Sequence, residues 1–398
     1  MMIKALKNRK RIFLGIINLA IFVVIIIFGL WPFNFWPENK VRWLKDQNGL
    51  QFFGRGIVYS ERPFTVSPYQ SSVPETQSSS HYSTIPVFQS SNIPLKSFSM
   101  EIWLQSEKEG YDYTARIFSF YDGKATEASV LSQWKSGLIL QRRIGSRPEE
   151  SYPKVGIRNA LPRGVKRFFT ITSGPEGTQI YIDGRPAEKH PKFNFSSEND
   201  SAFGQLILGN SPGGKRHWNG NLYGLAIYRH PLTKEQVSEH FRNWRDHEYS
   251  LLAADEGIIA LYPFDERSGD LIKDHAAGHH LLIPSRFGVL QKQVLVPPWK
   301  DFRLNRSYLM DIITNILGFI PFGFFLSASL GIKKPQPTRR LFFISILTAG
   351  CLSLFIELTQ VYLPTRSSQL TDVIMNILGS AIGAALFSKY RKASGMRR

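Results

Sequence analysis

Residues 12–31 form a run of 20 residues without one charged side chain, and three further apolar runs, at 309–332, 341–363 and 371–389, crowd the C-terminal third. A helix rises ~1.5 Å per residue, so about 20 apolar residues cross the ~30 Å of a bilayer's hydrocarbon. These four runs are therefore read as transmembrane helices. Trp31 and Trp36 follow the first run, where indole rings suit a membrane interface. Five basic residues precede it, as in a secretory signal, but its apolar stretch is too long and no small-x-small site follows.

Charge then sets the orientation. The formal net charge is +18, yet residues 32–306 carry 34 Lys/Arg against 28 Asp/Glu. The rest carries 15 Lys/Arg against 3 acids, and 14 of those 15 lie at 4–11, 333–340 and 389–398. Basic residues packed against the ends of apolar helices hold short loops on the cytoplasmic side, whereas a nucleic-acid surface would spread them over a folded domain. No nucleic-acid partner is expected. The partner is the lipid bilayer, with a cytoplasmic tail at 1–11, both termini cytoplasmic and residues 32–308 outside. The single cysteine, Cys351, sits inside a span, so the outside domain must be held by its core alone.

Between the first and second spans the pattern changes to short alternating runs. Phe98, Met100, Ile102 and Leu104 alternate with polar residues and so share one face of a strand. Similar runs lie at 116–120, 138–144, 168–172 and 179–182. Their punctuation is Asp122-Gly123, Gly174-Pro175 and Asp183-Gly184, the last a strong hairpin signal. This predicts an all-β sandwich over residues 39–290. One helix is expected at 234–248, with Thr233 and Gln236 placed as a capping box. The stretch 67–83, with seven serines, reads as a long loop.

The run 98–105, the Ile180-Tyr181-Ile182-Asp183-Gly184 hairpin, Leu206-Ile207-Leu208-Gly209-Asn210 and Trp218-Asn219-Gly220 resemble a laminin-G or concanavalin A-like jelly roll. Members of that fold often bind carbohydrate, which makes Tyr121, Trp134 and Trp218 glycan-binding candidates through stacking on sugar rings. The bland alternative is that these aromatics fill the core. Some members hold calcium, but no run here matches a dedicated calcium loop. Asp274, His275, His279 and His280 are read as a surface turn, so no metal site and no cofactor are predicted.

The spans carry few charges, and those present are close together. Asp311 and Asn315 open the second span, Glu357 and Gln360 lie near the end of the third, Arg366 is in the loop that follows, and Asp372 and Asn376 open the fourth. By the topology above, all fall in the outer third. A repeat ties them together: Asp311, Asn315 and Gly318 share the spacing of Asp372, Asn376 and Gly379, which places each trio on one helix stripe. Gly379 and Gly383 permit close helix contact, and Pro321 predicts a kink. Polar side chains of this kind often serve only as interhelical glue at ~0.6 kcal/mol per contact. Three acids in one layer are harder to explain that way, since an unpaired acid at depth costs ~2.5 kcal/mol or more.

The motif Asn315-Ile-Leu-Gly-Phe-Ile-Pro-Phe-Gly323, then Glu357-Leu-Thr-Gln360, Arg366, Ser367 and 372–379, resembles the VanZ-like membrane family. The Trp31-Pro32-Phe33-Asn34-Phe35 stretch is similar too, so the resemblance covers 10–36 and 300–390. It implies a bacterial cytoplasmic membrane protein, linked by family name to glycopeptide antibiotic resistance, and no established reaction. The expected architecture is multidomain, a four-helix transmembrane bundle with an inserted all-β jelly-roll sandwich. The expected role is non-enzymatic: the sandwich recognises an envelope polysaccharide or a surface protein, with a role in envelope stress or resistance. The alternative is a membrane enzyme acting on a lipid-linked envelope substrate, with Glu357 or Asp372 as general base and Arg366 holding a phosphate.

Overall fold

The computed structural model describes residues 2–64, 97–123, 127–142, 152–195, 204–302, 306–333 and 337–394. The serine-rich stretch at 67–83 and the end of the run at 138–144 lie outside them. Internal contacts divide the chain into two units, Met1–Pro37 with Lys292–Arg398, and Glu38–Gln291.

The first unit is built on helices Met2–Leu30, Arg306–Lys333, Thr338–Gln360 and Leu370–Ala393. Each holds a stretch long and apolar enough to cross a membrane: Arg9–Leu30, Arg306–Gly331, Arg339–Gln360 and Leu370–Ala393. The second helix continues through Pro321. The third stops at Gln360, short of the expected 363, and Pro364 disfavours helix in Leu363 just before it. Leu363 instead turns inward, with its N–H on the Gln360 carbonyl at 2.9 Å, and packs with Ile25, Phe319 and Ile356.

Glycines set the closest contact of the bundle. A Cβ at Gly379 would strike the Ile316 carbonyl oxygen, and one at Gly383 the Ile320 carbonyl oxygen. The partners advance together along both chains, so the second and fourth helices run parallel with their backbones touching. Polar bonds stitch the bundle elsewhere: Asn18 Nδ2 donates to Ser329 Oγ at 2.7 Å, and Ser327 and Ser345 share a bond at 2.8 Å.

The second unit is a sandwich of two antiparallel sheets. One runs Val41–Trp43, Leu50–Phe52, Gly220–Tyr228, Phe98–Ser106, Lys166–Gly174, Gly177–Ile182, Arg185–His190, with Ile258–Tyr262 also paired to Gly220–Tyr228. The other runs Leu271–Ile272, Leu281–Leu282, Val58–Ser60, Gln205–Leu208, Ala115–Tyr121, Glu127–Trp134, Gly137–Arg142, Lys154–Ile157. Phe98, Met100, Ile102 and Leu104 meet Phe118, Leu131, Leu138 and Leu206 in the core between them. Each such buried side chain stabilises the fold by about 1.5–3 kcal/mol. The Asp183-Gly184 turn has φ of 51° and 76°, as a tight hairpin of two left-handed residues requires.

The opposite face of the strand Phe98–Ser106 is also buried, because helix Lys234–Arg245 covers it. That helix begins at the expected capping box and ends at Arg245, short of 248. Beneath it, Glu101 is fully buried and accepts bonds from Tyr228 Oη at 2.9 Å, Trp244 Nε1 at 2.9 Å and His240 Nδ1 at 3.1 Å. A buried carboxylate survives only with partners of this kind.

Candidate functional site

The segment joining the third and fourth helices is held by the residues that precede the second. Val296 N–H donates to the Ser368 carbonyl at 2.9 Å, and Leu370 N–H to the Val296 carbonyl at 2.9 Å. Leu295 N–H reaches Ser368 Oγ at 3.1 Å. Within this frame Glu357 Oε2 accepts the Gln369 backbone N–H at 2.7 Å.

The last residue of the third helix and the same loop cap the first helix, whose last carbonyls have no intrahelical partners. Gln360 Nε2 donates to the Gly29 carbonyl at 2.8 Å. Arg366 donates from Nε to the Trp31 carbonyl at 3.0 Å and from Nη2 to the Phe28 carbonyl at 3.1 Å. Two of the guanidinium's donor directions are thereby engaged by backbone.

Asp311, Asn315, Glu357, Gln360, Arg366, Asp372 and Asn376 all line one cavity of about 720 Å³. Its walls include Val24, Ile25 and Phe28 of the first helix, with Phe319 and Ile356. Glu357 is 2% exposed and Asn376 6%. Asn376 Nδ2 donates to Ser353 Oγ at 2.8 Å, while its Oδ1 has no partner among the described residues. A buried acceptor left without a donor costs about 1–3 kcal/mol. The cavity thus presents three carboxylates, an open amide oxygen and a guanidinium turned partly to carbonyls, beside apolar walls. Such a lining can take the polar part of an amphiphile.

Thr314, Thr365, Ser367 and Gln369 also line it. Of these the sequence pointed only to Ser367, through the family motif, and missed the other three. Ser353 was missed as well, although Ser353, Glu357 and Gln360 recur at helical spacing and so share a stripe.

The three aromatic candidates of the sandwich separate by burial. Trp218 is 0% exposed, with Nε1 donating to Gln133 Oε1 at 2.8 Å inside the core. Tyr121 is 4% exposed and packs against Ile57, Ile207 and Phe287. Neither ring offers a face to a sugar, because each is consumed by packing. Trp134 is 40% exposed, at the wall of a shallow cavity of about 510 Å³ that includes Lys154, Arg158 and Asn159.

Asp274 organises a turn. Its carboxylate accepts backbone N–H groups from Leu261, Ala276, Ala277 and His279 at 2.8–3.0 Å. Burial would raise its pKa, but the His279 side chain and these N–H groups hold it below the usual carboxylate value. Nearby, Asp265, Glu266 and His275 bring ligating atoms within 4.8 Å of one another. His275 Nε2 lies 3.4 Å from Asp265 Oδ1, and Glu266 Oε1 accepts the Lys273 N–H at 2.6 Å. No cofactor is evidenced by this group.

Comparison with known proteins gives two family matches. Residues 249–391 match the VanZ/LLP1 family and residues 77–238 the concanavalin A-like lectin/glucanases superfamily. The chain combines a VanZ-like region with a LamG-type domain. Comparison with curated proteins finds no match. Among solved structures it is similar to a presumed carbohydrate-binding protein from Bacteroides ovatus, at 15% identity and a TM-score of 0.38, covering 62% of each chain. It is also similar to the CBM40 of a Ruminococcus gnavus IT-sialidase bound to α2,3 sialyllactose, at 12% identity and a TM-score of 0.31, over 37% of this chain and 84% of that one. A third is the receptor binding domain of botulinum neurotoxin type G, at 13% identity and a TM-score of 0.29, over 37% and 38%. The chain spans less than two thirds of the length of the first of these.

Proposed function

We propose that this is a non-enzymatic membrane protein of the bacterial cell envelope whose helical unit holds the polar part of a membrane lipid or lipid-linked glycan. The observation that carries this reading is the convergence of seven polar residues, from three helices and one loop, on a single cavity with partly apolar walls. Acids placed in membrane-length helices are costly unless paired, wetted or used. The basic segments at 4–11, 333–340 and 389–398 support an orientation with residues 32–308 outside, the cavity toward the outer leaflet and the LamG-type domain toward the envelope. That domain recognises an envelope glycan or surface protein. The lectin-superfamily match and exposed Trp134 support the glycan half.

The enzymatic alternative needs Arg366 to hold a phosphate. Its Nε and Nη2 instead bind the Trp31 and Phe28 carbonyls, which favours binding over catalysis. Lipid extraction from the full chain, purified in mild detergent and analysed by mass spectrometry, tests the proposal. A lipid or lipid-linked glycan enriched over the bulk membrane supports it, and no enrichment of any species overturns it.

A further inference from the structure

We infer that the cavity of the helical unit selects a lipid headgroup bearing a primary ammonium, its N–H donors shared among Asp311, Asp372 and Asn376 Oδ1. This rests on the lipid-binding reading above and names the headgroup chemistry.

Three observations lead there. First, the charged side chains of the lining are mostly acidic: Asp311, Glu357 and Asp372 stand against Arg366, whose guanidinium already donates to two backbone carbonyls. Beside Asp311 and Asp372 a net-anionic headgroup would be repelled, whereas a cationic group would be held. Second, Asn376 lies 94% buried by its 6% exposure, with Nδ2 fixed on Ser353 and Oδ1 without a partner among the described residues. Its open position asks for a donor, which a quaternary amine lacks and a primary ammonium supplies threefold. Third, the cavity is wide for a bare ion. Among the described residues only Asp265, Glu266 and His275 bring three ligating atoms within 4.8 Å, and none of those lines this cavity. A volume of about 720 Å³ suits an organic group.

The cavity's parallel-helix construction gives the ammonium matched partners. Asp311 and Asp372 each stand seven residues before a glycine of the same repeat, on helices whose backbones touch. Asp311 and Asp372 therefore stand on neighbouring helices at the same end of the bundle and both line the cavity, and Asn376 lies one turn deeper than Asp372.

Native mass spectrometry of the full chain, delipidated and then offered phosphatidylethanolamine, phosphatidylcholine or phosphatidylglycerol with identical acyl chains, tests this. Phosphatidylethanolamine is expected to be retained at least ~tenfold better than the other two, a margin of about one charged hydrogen bond. Asp311→Asn and Asp372→Asn are each expected to remove most of that preference with the melting temperature unchanged. Asp311 is exposed in the first turns of its helix, so its variant reads out even if Asp372→Asn fails to fold. Equal retention of phosphatidylcholine would show that donors are irrelevant and overturn the inference. Preference for phosphatidylglycerol overturns it too, while leaving lipid binding intact. Free ethanolamine displacing the lipid at equal concentration would assign the site to soluble amines and overturn it. Retention of none of the three, nor of any native lipid, removes the inference and the underlying reading together.

Discussion

Arg366 Nε donates to the carbonyl oxygen of Trp31 at 3.0 Å, joining the loop after the third helix to the end of the first, 335 residues earlier. With Nη2 on Phe28 and Gln360 on Gly29, the end of the third helix and the loop after it satisfy three carbonyls around the carboxyl end of the first helix. The planar fork suits two carbonyls at once. Arg366→Lys keeps the charge but one direction only. A loss of about 1–3 kcal/mol is expected, read as a lower melting temperature of the detergent-purified protein.

The glycine contacts make a second prediction. Gly383→Val places its side chain against the Ile320 carbonyl and the Phe324 N, which are backbone and cannot move aside. Overpacking of this kind costs about 1–3 kcal/mol or more, so folded protein in the membrane fraction should fall sharply. Gly318→Ala has nothing within 4 Å and should leave abundance unchanged.

His240 predicts a pH dependence of the sandwich. Burial opposes its charge, but the hydrogen bond and charge of Glu101, with Asp255 and Glu239, raise its pKa above the ordinary value. A histidine with a raised folded-state pKa contributes stability that is fully present below its unfolded pKa of ~6.5 and is lost as pH rises through the folded value. The melting temperature of the sandwich should therefore fall over that window relative to His240→Gln. Parallel curves for the two proteins would contradict this.

The tryptophans predict opposite phenotypes. Trp218→Ala empties a fully buried site and leaves Gln133 Oε1 without the indole N–H, for a cost of about 3–5 kcal/mol. Trp134→Ala should shift stability by no more than ~0.5 kcal/mol while weakening retention of the full chain on envelope polysaccharide. Unchanged retention would remove Trp134 from the glycan face.

What the sequence reveals follows the range of the interactions. The strand at 98–104 is legible because alternation is local, yet burial of Glu101 is not, since its partners Tyr228, His240 and Trp244 lie 127–143 residues away. Tyr121 and Trp218 look like sugar platforms because aromatic identity does not tell which face is covered. In the bundle, the Asp and Asn of both repeats and Gly318 fall on the cavity wall, while Gly379 packs on the Ile316 carbonyl instead. The role of Arg366 is hidden, because its partners are backbone carbonyls that leave no trace in side-chain identity. The serine at 353 is legible only once Glu357 and Gln360 are seen as its neighbours on one stripe.

The cavity among the four long helices, read as a binding site, should be occupied in the protein as it leaves the membrane. An experimental density map of the full chain, purified with its native lipids and kept in nanodiscs, tests it directly. Non-protein density is expected between Asp311, Asp372 and Asn376, with Asn376 Oδ1 within hydrogen-bond reach of it and an acyl-like tail running beside Val24 and Phe28. A cavity closed by its own side chains, with Asn376 Oδ1 bonded to another residue of the bundle, would contradict the claim and leave the polar cluster as interhelical glue.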